Sequence, residues 1–291
     1  MPELPEVEAL TRFIDSQLRG RTVVRAELAS FSALKSAGPT VASLVGQELQ
    51  GAGRRGKFLC LQFQGTWLVV HLARAGWLRW YPKLPEARAR PTRSPVALRL
   101  GFGSGPSSEP AGFDLTEAGT QKRLALWLVP DPAQIPAVSA LGPDPLDPGL
   151  DARRLGQRLA GFPGSIKMAL TSQALLAGVG SAYSDEALHW ARLSPFKPAA
   201  GLSAQEVERL HTGLVRLLAD AVARAEGVPA AELKDAKRQV MRVHGRTGLA
   251  CPVCGDVVRQ VSFSNKSLQY CATCQTGGKP LADRRLSRLL R

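Results

Sequence analysis

The sequence predicts an α+β protein with two domains: an N-terminal antiparallel β-domain that follows a first helix, and a C-terminal helical domain with a cysteine hairpin. Three observations support this fold class. Short apolar or alternating runs fill residues 22–130, the periodicity becomes helical beyond residue 150, and two C-x2-C pairs follow near the C-terminus. With 291 residues, 44% of them hydrophobic, the chain can fill about two domain cores.

The first predicted helix begins in the opening stretch, MPELPEVEAL. Pro5 suits a first helical turn, and Glu6 and Glu8 suit the positive end of the helix dipole. Apolar residues at helical spacing bury one face, namely Val7, Leu10, Ile14 and Leu18. This account leaves Pro2 and Glu3 without a structural role.

Five runs separated by Gly and Pro predict the strands of an antiparallel sandwich or barrel. They are TVVRAEL (22–28), KFLCLQF (57–63), TWLVVHL (66–72), WLRWY (77–81) and PVALRLGF (95–102). A proline-rich stretch then predicts an interdomain linker. The helices predicted beyond it are ARRLGQRLA (152–160), IKMALTSQALL (166–176), SAYSDEALHWARL (181–193) and a long helix opened by Ser203 and Glu206 in capping-box spacing.

These patterns divide the chain into five parts. We predict a β-domain over 1–130, a linker over 131–149, a helical domain over 150–245, a cysteine hairpin over 246–276 and a basic tail over 277–291. No apolar run approaches the roughly 18 residues that span a bilayer, and the acidic N-terminus does not fit a signal peptide. We therefore expect a cytoplasmic protein with no membrane partner.

The positive charge is concentrated near the C-terminus. The chain carries a formal charge of +14, and residues 234–291 hold twelve Lys and Arg against three Asp, a net charge of +9. A basic surface in general would spread this charge along the chain, so the clustering favours a nucleic acid partner.

The cysteine spacing predicts a metal site. Cys251, Cys254, Cys271 and Cys274 form C-x2-C-x16-C-x2-C, which suits a tetrahedral Zn²⁺ site on a β-hairpin. Two disulfides are the alternative, which the absence of a secretion signal disfavours. Four sulfur ligands leave no open position, so one structural zinc is expected and no catalytic metal. Cys60, in a strand-like run, is expected to be a buried thiol.

Four motifs in order carry a resemblance: MPELPEVE, RRGKFL at 54–59, AGVGSAYSDEALH at 177–189, and a cysteine hairpin that ends YCATCQTGG. In these motifs the chain resembles a divergent member of the formamidopyrimidine-DNA glycosylase and endonuclease VIII family of base-excision repair enzymes. The resemblance covers essentially the whole chain. It implies an N-terminal β-sandwich, a helix-two-turn-helix domain with a zinc finger, and damaged double-stranded DNA between them as partner, bound by a monomer.

The resemblance gives the first two residues after Met1 a role. Removal of Met1 would expose the secondary amine of Pro2, which the family uses as the nucleophile on C1′ of a flipped nucleotide. The damaged base leaves as an iminium forms, and elimination of the 3′ phosphate nicks the strand. Glu3 is implied to be the general acid that protonates the deoxyribose ring oxygen.

Three further basic residues are candidates for contact with DNA, and two of them, Lys57 and His71, match family positions. Lys57, on a strand after Arg54 and Arg55, is implied to contact phosphate and assist elimination; without the resemblance it would be a surface cation of a hairpin. His71 matches a position near DNA, and its alternative is a core histidine. Lys167 is expected to approach a phosphate or to be a solvated cation.

The GVG motif and the zinc hairpin are implied to hold the DNA backbone. Gly178 and Gly180 precede a helix whose exposed amides can bind phosphate. Ser181 stands where the family usually has asparagine, and it can cap the helix with a shorter reach. Lys266 stands where most relatives have arginine, so it keeps the charge and loses the planar fork. The basic tail carries Arg284, Arg285, Arg288 and Arg291. These arginines either add a DNA contact or lie on a solvated C-terminal helix.

Several departures bear on the substrate. Arg74 stands where many relatives have a void-filling methionine, and TEAGTQKRL at 116–124 lacks the usual arginine and phenylalanine. Base extrusion would then depend on Arg74, Gln121 or Trp77. Residues 226–244 are short for the loop that covers 8-oxoguanine, so 8-oxoguanine is not expected to be the main substrate.

The leading hypothesis is a bifunctional DNA glycosylase that acts on oxidised or otherwise damaged bases and has abasic-site lyase activity by β or β,δ-elimination. The protein is expected to associate with the nucleoid when it is bound to DNA. One rival is a DNA-binding protein that has lost the chemistry, and another is a glycosylase for bulky or crosslinked adducts. A zinc-ribbon transcription or ribosomal protein would explain the cysteines and the charge but not the N-terminus.

Overall fold

The computed structural model describes residues 1–89, 95–103, 109–263 and 266–282. The chain forms two compact units. Unit 1 comprises Met1–Ala140 and Arg224–Lys234, and unit 2 comprises Leu141–Ala223 and Asp235–Arg291. Unit 1 holds two antiparallel sheets and unit 2 is largely helical with a cysteine hairpin, so the predicted α+β class is confirmed. The five-part division by residue number stays a prediction.

Unit 1 begins with helix α1 (Leu4–Leu18). Its strands are β1 (Thr22–Leu28), β2 (Gly51–Arg55), β3 (Phe58–Phe63), β4 (Thr66–His71), β5 (Gly76–Tyr81), β6 (Val96–Gly103), β7 (Ala111–Glu117) and β8 (Ala125–Val129). They form two four-stranded sheets with the orders β1-β6-β7-β5 and β2-β3-β4-β8, and every pairing is antiparallel. A short helix, α2 (Pro136–Ser139), lies in the predicted linker.

One apolar cluster fills unit 1. Side chains of α1 such as Val7 and Leu10 pack in it with Leu61 of one sheet and Leu98 of the other, all at most 1% exposed. Burial of this kind is the main favourable term in folding, about 25 cal/mol per Å² of apolar surface. The two-sheet core confirms the sandwich that the resemblance implied.

A buried ion pair joins two strands of the first sheet. Arg99 of β6 and Asp114 of β7 face each other in register, and the guanidinium donates to both carboxylate oxygens at 2.7 and 2.8 Å. Both side chains are at most 7% exposed. Removal of either partner would leave a buried charge unpaired, which is strongly destabilising.

Unit 2 contains α3 (Ala152–Ala160), α4 (Ile166–Thr171), α5 (Ser181–Trp190), most of α6 (Ala204–Ala225) and most of α7 (Leu233–Val240). The cysteine hairpin follows as β9 (Val258–Phe263), β10 (Lys266–Cys271) and α8 (Ala272–Thr276). The capping box that opens α6 is present: Ser203 N donates to Glu206 Oε2 at 2.9 Å, and Glu206 N donates to Ser203 Oγ at 3.3 Å.

Candidate functional site

Pro2 and Glu3 lie at the start of α1. Glu3 is the N-cap residue and is 3% exposed, Pro2 is also buried, and Met1 is half exposed. The carboxylate of Glu6 accepts a hydrogen bond from the backbone N–H of Glu3 at 2.8 Å, as in a capping box. Two carboxyl groups therefore stand at the positive end of the helix dipole.

Helix α1 is fixed to strand β2 by charged groups. Arg54 Nε donates to Glu8 Oε2 at 2.6 Å, and the Arg54 side chain is 9% exposed. Further along the helix, Asp15 Oδ1 accepts from the backbone N–H of Ala52 at 2.7 Å. These two contacts hold helix α1 against the β2–β3 hairpin within unit 1.

Lys57 lies in the turn of this hairpin and not on a strand, which corrects the prediction. The turn has two residues, and Gly56 at its first position has a φ of +55°, which glycine adopts without strain. Arg55 and Phe58 pair directly across it. Lys57 is 6% exposed, so the alternative of a solvated surface cation is wrong.

His71 ends strand β4 next to the same hairpin. It pairs in register with Phe58, and the two ring centroids lie 4.9 Å apart. Burial and, to a lesser extent, the charge of Lys57 lower the pKa of His71 below its ordinary value. The sheet therefore brings Lys57 and His71 into one electrostatic environment.

Arg74 is held by a tight turn after β4. Ala73 has a φ of +52°, a left-handed conformation that costs a non-glycine residue energy, and Gly76 N donates to Leu72 O at 2.9 Å. A Cβ on Gly76 would lie 2.1 Å from Leu72 O, so only glycine fits there. The turn projects Arg74 into a cleft of about 290 Å³ that Gln121 also lines.

Trp77 is tied elsewhere in unit 1. Its Nε1–H donates to Ala230 O at 2.7 Å, and Lys234 Nζ lies 4.3 Å from the ring centroid. A cation over an aromatic face is stabilising. Of the three candidates for base extrusion, Arg74 and Gln121 therefore share a cleft, while Trp77 has intramolecular partners.

In unit 2 the GVG motif opens helix α5. Gly178 has a φ of +88°, and its N–H donates to Gln173 Oε1 at 3.0 Å, while Gln173 Nε2 donates to Val179 O at 2.8 Å. Gly180 is the N-cap residue. The expectation that Ser181 caps the helix is wrong, because Ser181 is the first helical residue and its hydroxyl donates to Ser267 O on β10 at 3.4 Å.

Lys167 is part of a buried network beneath this motif. Its Nζ donates to Ser181 O and Ser184 Oγ at 2.7 Å and to Asp185 Oδ1 at 2.6 Å. His244 Nδ1 lies 2.7 Å from the other oxygen of Asp185. Lys167 is 8% exposed, so the solvated alternative is wrong, and a phosphate would have to compete with three intramolecular acceptors.

Glu186 is the next residue of α5 and holds a different segment. Its carboxylate accepts three backbone N–H groups, from Arg242, Val243 and His244, at 2.8 to 2.9 Å. Burial raises the pKa of the Glu186 carboxyl, and the three hydrogen bonds oppose that rise. The residues that lead into the cysteine hairpin are thus fixed to α5.

The four cysteines converge as predicted. All five cysteines of the chain are free thiols, Cys251 Sγ lies 3.9 Å from Cys274 Sγ, and Cys254 Sγ lies 3.3 Å from Cys271 Sγ. Ligands at Zn–S distances of about 2.3 Å in a tetrahedron lie about 3.8 Å apart, so these residues fit zinc. The disulfide alternative does not apply.

His189, on the last turn of α5, joins this cluster and was not predicted. Its Nε2 lies 3.3 Å from Cys251 Sγ, and its side chain is buried. Burial, followed by the charges of Arg242 and Arg192, lowers the pKa of His189 to about 4. The sequence gives one weak sign of this role. Ser184, Asp185, Glu186 and His189 are polar residues of one short helix, and an ordinary amphipathic helix would expose such residues to solvent.

Two sets of predicted residues cannot be located. Lys266 begins strand β10, but its side chain lies outside the described part of the structure. The tail arginines Arg284, Arg285, Arg288 and Arg291 also lie outside the described residues. Their proposed DNA contacts stay predictions.

Comparisons with known proteins place the chain in a family. The formamidopyrimidine-DNA glycosylase N-terminal domain matches residues 1–113, the H2TH domain of the same enzyme matches 141–231, and the zinc finger found in FPG and IleRS matches 248–277. A formamidopyrimidine-DNA glycosylase of Symbiobacterium thermophilum is 35% identical over 94% of this chain and 89% of the relative. The chain belongs to the formamidopyrimidine-DNA glycosylase family. It is therefore a DNA glycosylase of base-excision repair with a zinc finger.

Other relatives agree with this assignment. An uncharacterized formamidopyrimidine-DNA glycosylase-like protein of Mycobacterium tuberculosis is 56% identical over 55% of this chain and 99% of its own length. The crystal structure of MutM (FPG) from Thermus thermophilus aligns with a TM-score of 0.79 and 30% identity, over 96% of this chain and 100% of that one. A Lactococcus lactis FPG mutant, crystallised with DNA that contains Fapy-dG, has a TM-score of 0.82 at 24% identity, over 94% of this chain and 100% of that one, which shows the shared fold. Within the described residues, no helix is long and apolar enough to cross a membrane.

Proposed function

We propose that the chain is a bifunctional glycosylase and abasic-site lyase that acts on damaged double-stranded DNA, with Pro2 as nucleophile and Glu3 as general acid. The observation that carries the proposal is the burial of Pro2 and Glu3 at the start of α1, on a helix that Arg54 ties to the hairpin of Lys57. A helix N-terminus held in this way keeps the reacting groups in place without reorganisation.

Once Met1 is removed, the secondary amine of Pro2 attacks C1′ of a flipped nucleotide. The N-glycosidic bond breaks and the base leaves with its electron pair, while Glu3 gives a proton to the ring oxygen as the sugar opens to an iminium. Loss of a proton from C2′ then expels the 3′ phosphate, and water hydrolyses the iminium to free the amine. An α-amino group has a pKa near 7.7 to 8.0, so a useful fraction is unprotonated at neutral pH.

Lys57 is proposed to bind the phosphate next to the reacting sugar, with His71 beside it. Lys57 is a cation with little exposed surface, and a cation in a site with little water interacts more strongly with a phosphate than one in bulk water. His71 lies beside it and stays neutral at pH 7, because burial lowers its pKa. A neutral His71 adds no repulsion to the Lys57 ammonium.

Two other regions are proposed to hold the DNA. The positive end of the α5 dipole, which begins at Ser181 after the GVG motif, suits a phosphate, and Lys266 would add a charge from the zinc hairpin. In unit 1, Arg74 and Gln121 line one cleft and are the side chains that would fill the space of the extruded base. We place the protein on nucleoid DNA in the cytoplasm, as a monomer.

The cleft favours a second candidate substrate class. Arg74 replaces a methionine and the 116–124 segment lacks the usual arginine and phenylalanine, so the space beside the extruded base is bounded by flexible polar chains. Such a site suits bulky or crosslinked adducts. Residues 226–244 are short for the loop that covers 8-oxoguanine in the family, which does not favour 8-oxoguanine as the main substrate. A protein that keeps DNA binding and has lost the chemistry is the remaining rival.

Borohydride trapping on a duplex with one abasic site tests the proposal. Reduction converts the iminium to a stable amine, so the wild-type protein, with Met1 removal checked by mass spectrometry, is expected to give a covalent band. Pro2→Gly is expected to lose the band. In a parallel assay on a duplex that still carries a damaged base, Glu3→Gln is expected to lower base release about 10²- to 10⁴-fold. Glu109→Gln, an exposed carboxylate paired with Lys83, is the matched control and should behave as wild type.

The outcomes separate the candidates. Binding of the abasic duplex with neither trapping nor nicking contradicts the lyase assignment. A lesion panel that includes 8-oxoguanine, formamidopyrimidines and a crosslink then distinguishes the substrate classes, and absence of base release from every lesion would leave the DNA-binding rival.

A further inference from the structure

His189 occupies a position that the zinc finger does not need for its ligand set. It lies on the last turn of α5, it is 3% exposed, and its Nε2 is 3.3 Å from Cys251 Sγ. A ligand atom of His189 lies within 4.8 Å of the sulfurs of Cys251, Cys271 and Cys274. With Cys254, whose Sγ lies 3.3 Å from Cys271 Sγ, five donor groups are available where a tetrahedral site takes four.

The four cysteine sulfurs lie in two close pairs. Cys251 Sγ lies 3.9 Å from Cys274 Sγ and Cys254 Sγ lies 3.3 Å from Cys271 Sγ, close to the separation of about 3.8 Å expected between sulfur ligands of one tetrahedral zinc. A zinc ion held by Cys251, Cys254, Cys271 and Cys274 would have its four positions filled by sulfur. His189 then stands outside the coordination sphere, at hydrogen-bond distance from one ligand.

The other ring nitrogen supports the same assignment. Nδ1 of His189 is buried, and within the described residues it has no hydrogen-bond partner. A neutral imidazole has one donor and one acceptor nitrogen, and a metal-bound thiolate is an acceptor, so Nε2 carries the hydrogen. The sulfur of Cys251 is thus the hydrogen-bond partner of the buried His189 ring.

We propose that His189 is a positioning residue of the zinc finger, whose Nε2–H donates a hydrogen bond to the metal-bound thiolate of Cys251. Four thiolates around Zn²⁺ carry a net charge of −2, and Cys251 and Cys271 are at most 2% exposed, so little water reaches them to offset it. A donor on one sulfur withdraws part of that charge. It lowers the reactivity of the sulfur towards electrophiles and raises the retention of the metal.

The test compares zinc release from three variants of the full-length, zinc-loaded protein. His189→Phe keeps a ring and removes the donor, and His189→Gln restores an N–H donor. His211→Phe is the matched control, because His211 Nε2 lies 2.7 Å from Leu150 O and His211 is outside the metal cluster. Zinc release on treatment with N-ethylmaleimide is followed with a chromophoric chelator.

His189→Phe is expected to release zinc at least 10-fold faster than wild type, with His189→Gln closer to wild type and His211→Phe unchanged. Equal rates for wild type and His189→Phe would overturn the proposal. A Co²⁺-loaded wild type with a three-sulfur, one-nitrogen spectrum would also overturn it, because His189 would then be a ligand.

A measurement on the unmutated protein decides the case if His189→Phe does not fold. In the ¹⁵N-labelled protein loaded with ¹¹³Cd²⁺, the histidine spectrum is expected to show a protonated Nε2 on His189, with a small coupling to the metal across the N–H···S bond. An unprotonated Nε2 would contradict the proposal.

Discussion

Both units bury many apolar side chains, but the buried polar groups of the two units differ in where their partners lie. Unit 1 is filled by apolar side chains from α1 and both sheets, and Arg99–Asp114 is a buried ion pair between adjacent strands. In unit 2, helix α5 alone buries Ser184, Asp185, Glu186 and His189, each at most 3% exposed. Partners of Asp185, Glu186 and His189 come from residues about 20 to 60 positions away in the chain. Hydrophobic periodicity can therefore specify the apolar part of each interior but not the polar pairings of α5.

Zinc removal should produce the largest contrast between the units. The apolar clusters of the cysteine hairpin are small, one of Val243, Cys251, Val258 and Cys271 and one of Val261, Leu268, Tyr270 and Ala272. A structural zinc contributes on the order of 10 kcal/mol to such a module. Chelation is expected to abolish hydrogen-exchange protection over 248–277 and leave β3 and β4 protected, as mass spectrometry of peptides would show. Unchanged protection of the hairpin would contradict the metal's structural role.

A core truncation in unit 1 should have the next largest effect. Leu98 on β6 is fully buried in the apolar cluster, so Leu98→Ala is expected to lower the free energy of unfolding of unit 1 by about 2–5 kcal/mol. Urea denaturation followed by the near-ultraviolet signal of unit 1 measures it. Val24→Ala, on an exposed residue of β1, is the control and should change stability by less than about 0.5 kcal/mol.

In unit 2 the substitution to compare with Leu98→Ala is Glu186→Gln, which removes a charge and keeps the size of the side chain. Glu186→Gln puts an amide where a carboxylate accepts three backbone N–H groups, and it is expected to cost about 2 kcal/mol because one or more of these donors loses its acceptor. Exchange protection of Arg242, Val243 and His244 should fall in the variant. Exposed Glu232→Gln provides the control. Wild-type protection in Glu186→Gln would show that unit 2 does not depend on this carboxylate.

The smallest effect concerns pH and His71. The folded pKa of His71 lies below that of the unfolded chain, about 6.5, so the unfolded state binds more protons as pH falls below 6.5 and stability is lost there. The loss is at most about 1.4 kcal/mol per pH unit. His71→Gln is expected to flatten the profile between pH 7 and 5.5 in urea titrations. Parallel profiles for the two proteins would exclude His71 as the group responsible.

Much of the fold follows from local sequence. The predicted strands at residues 22–28 and 66–72 agree with β1 and β4 within a residue, and Ser203 and Glu206 form the predicted capping box. Strands β2, β7 and β8 were not predicted as separate strands. GAGRR in β2 has no alternating apolar residues, and its pairing with β3 is what makes it a strand.

Helix lengths also depended on tertiary contacts. A helix predicted over 166–176 ends at Thr171, where the Gln173 side chain instead bonds to the backbone of Gly178 and Val179. The helix predicted over 181–193 ends at Trp190, before Arg192, whose φ of +55° is left-handed.

The candidate site was only partly predictable. The cysteine spacing identified the metal cluster, and the motifs identified Pro2, Glu3 and Lys57 as residues to examine. The partners of Lys167 and the position of His189 could not be read from sequence, because they join α5 to residues far along the chain. Pairings of this kind have no local signal.

The segment 224–234 makes the two units hard to separate as gene fragments. Although it follows 83 residues of unit 2, it supplies Ala225, Ala230 and Leu233 to the core of unit 1 and the acceptor for Trp77. A polypeptide cut after Ala140 would expose the apolar surface that this segment covers and would tend to aggregate. A functional N-terminal half would need the segment grafted back through a new connection, so the proline-rich stretch that looks like a natural boundary is not a safe place to divide this protein.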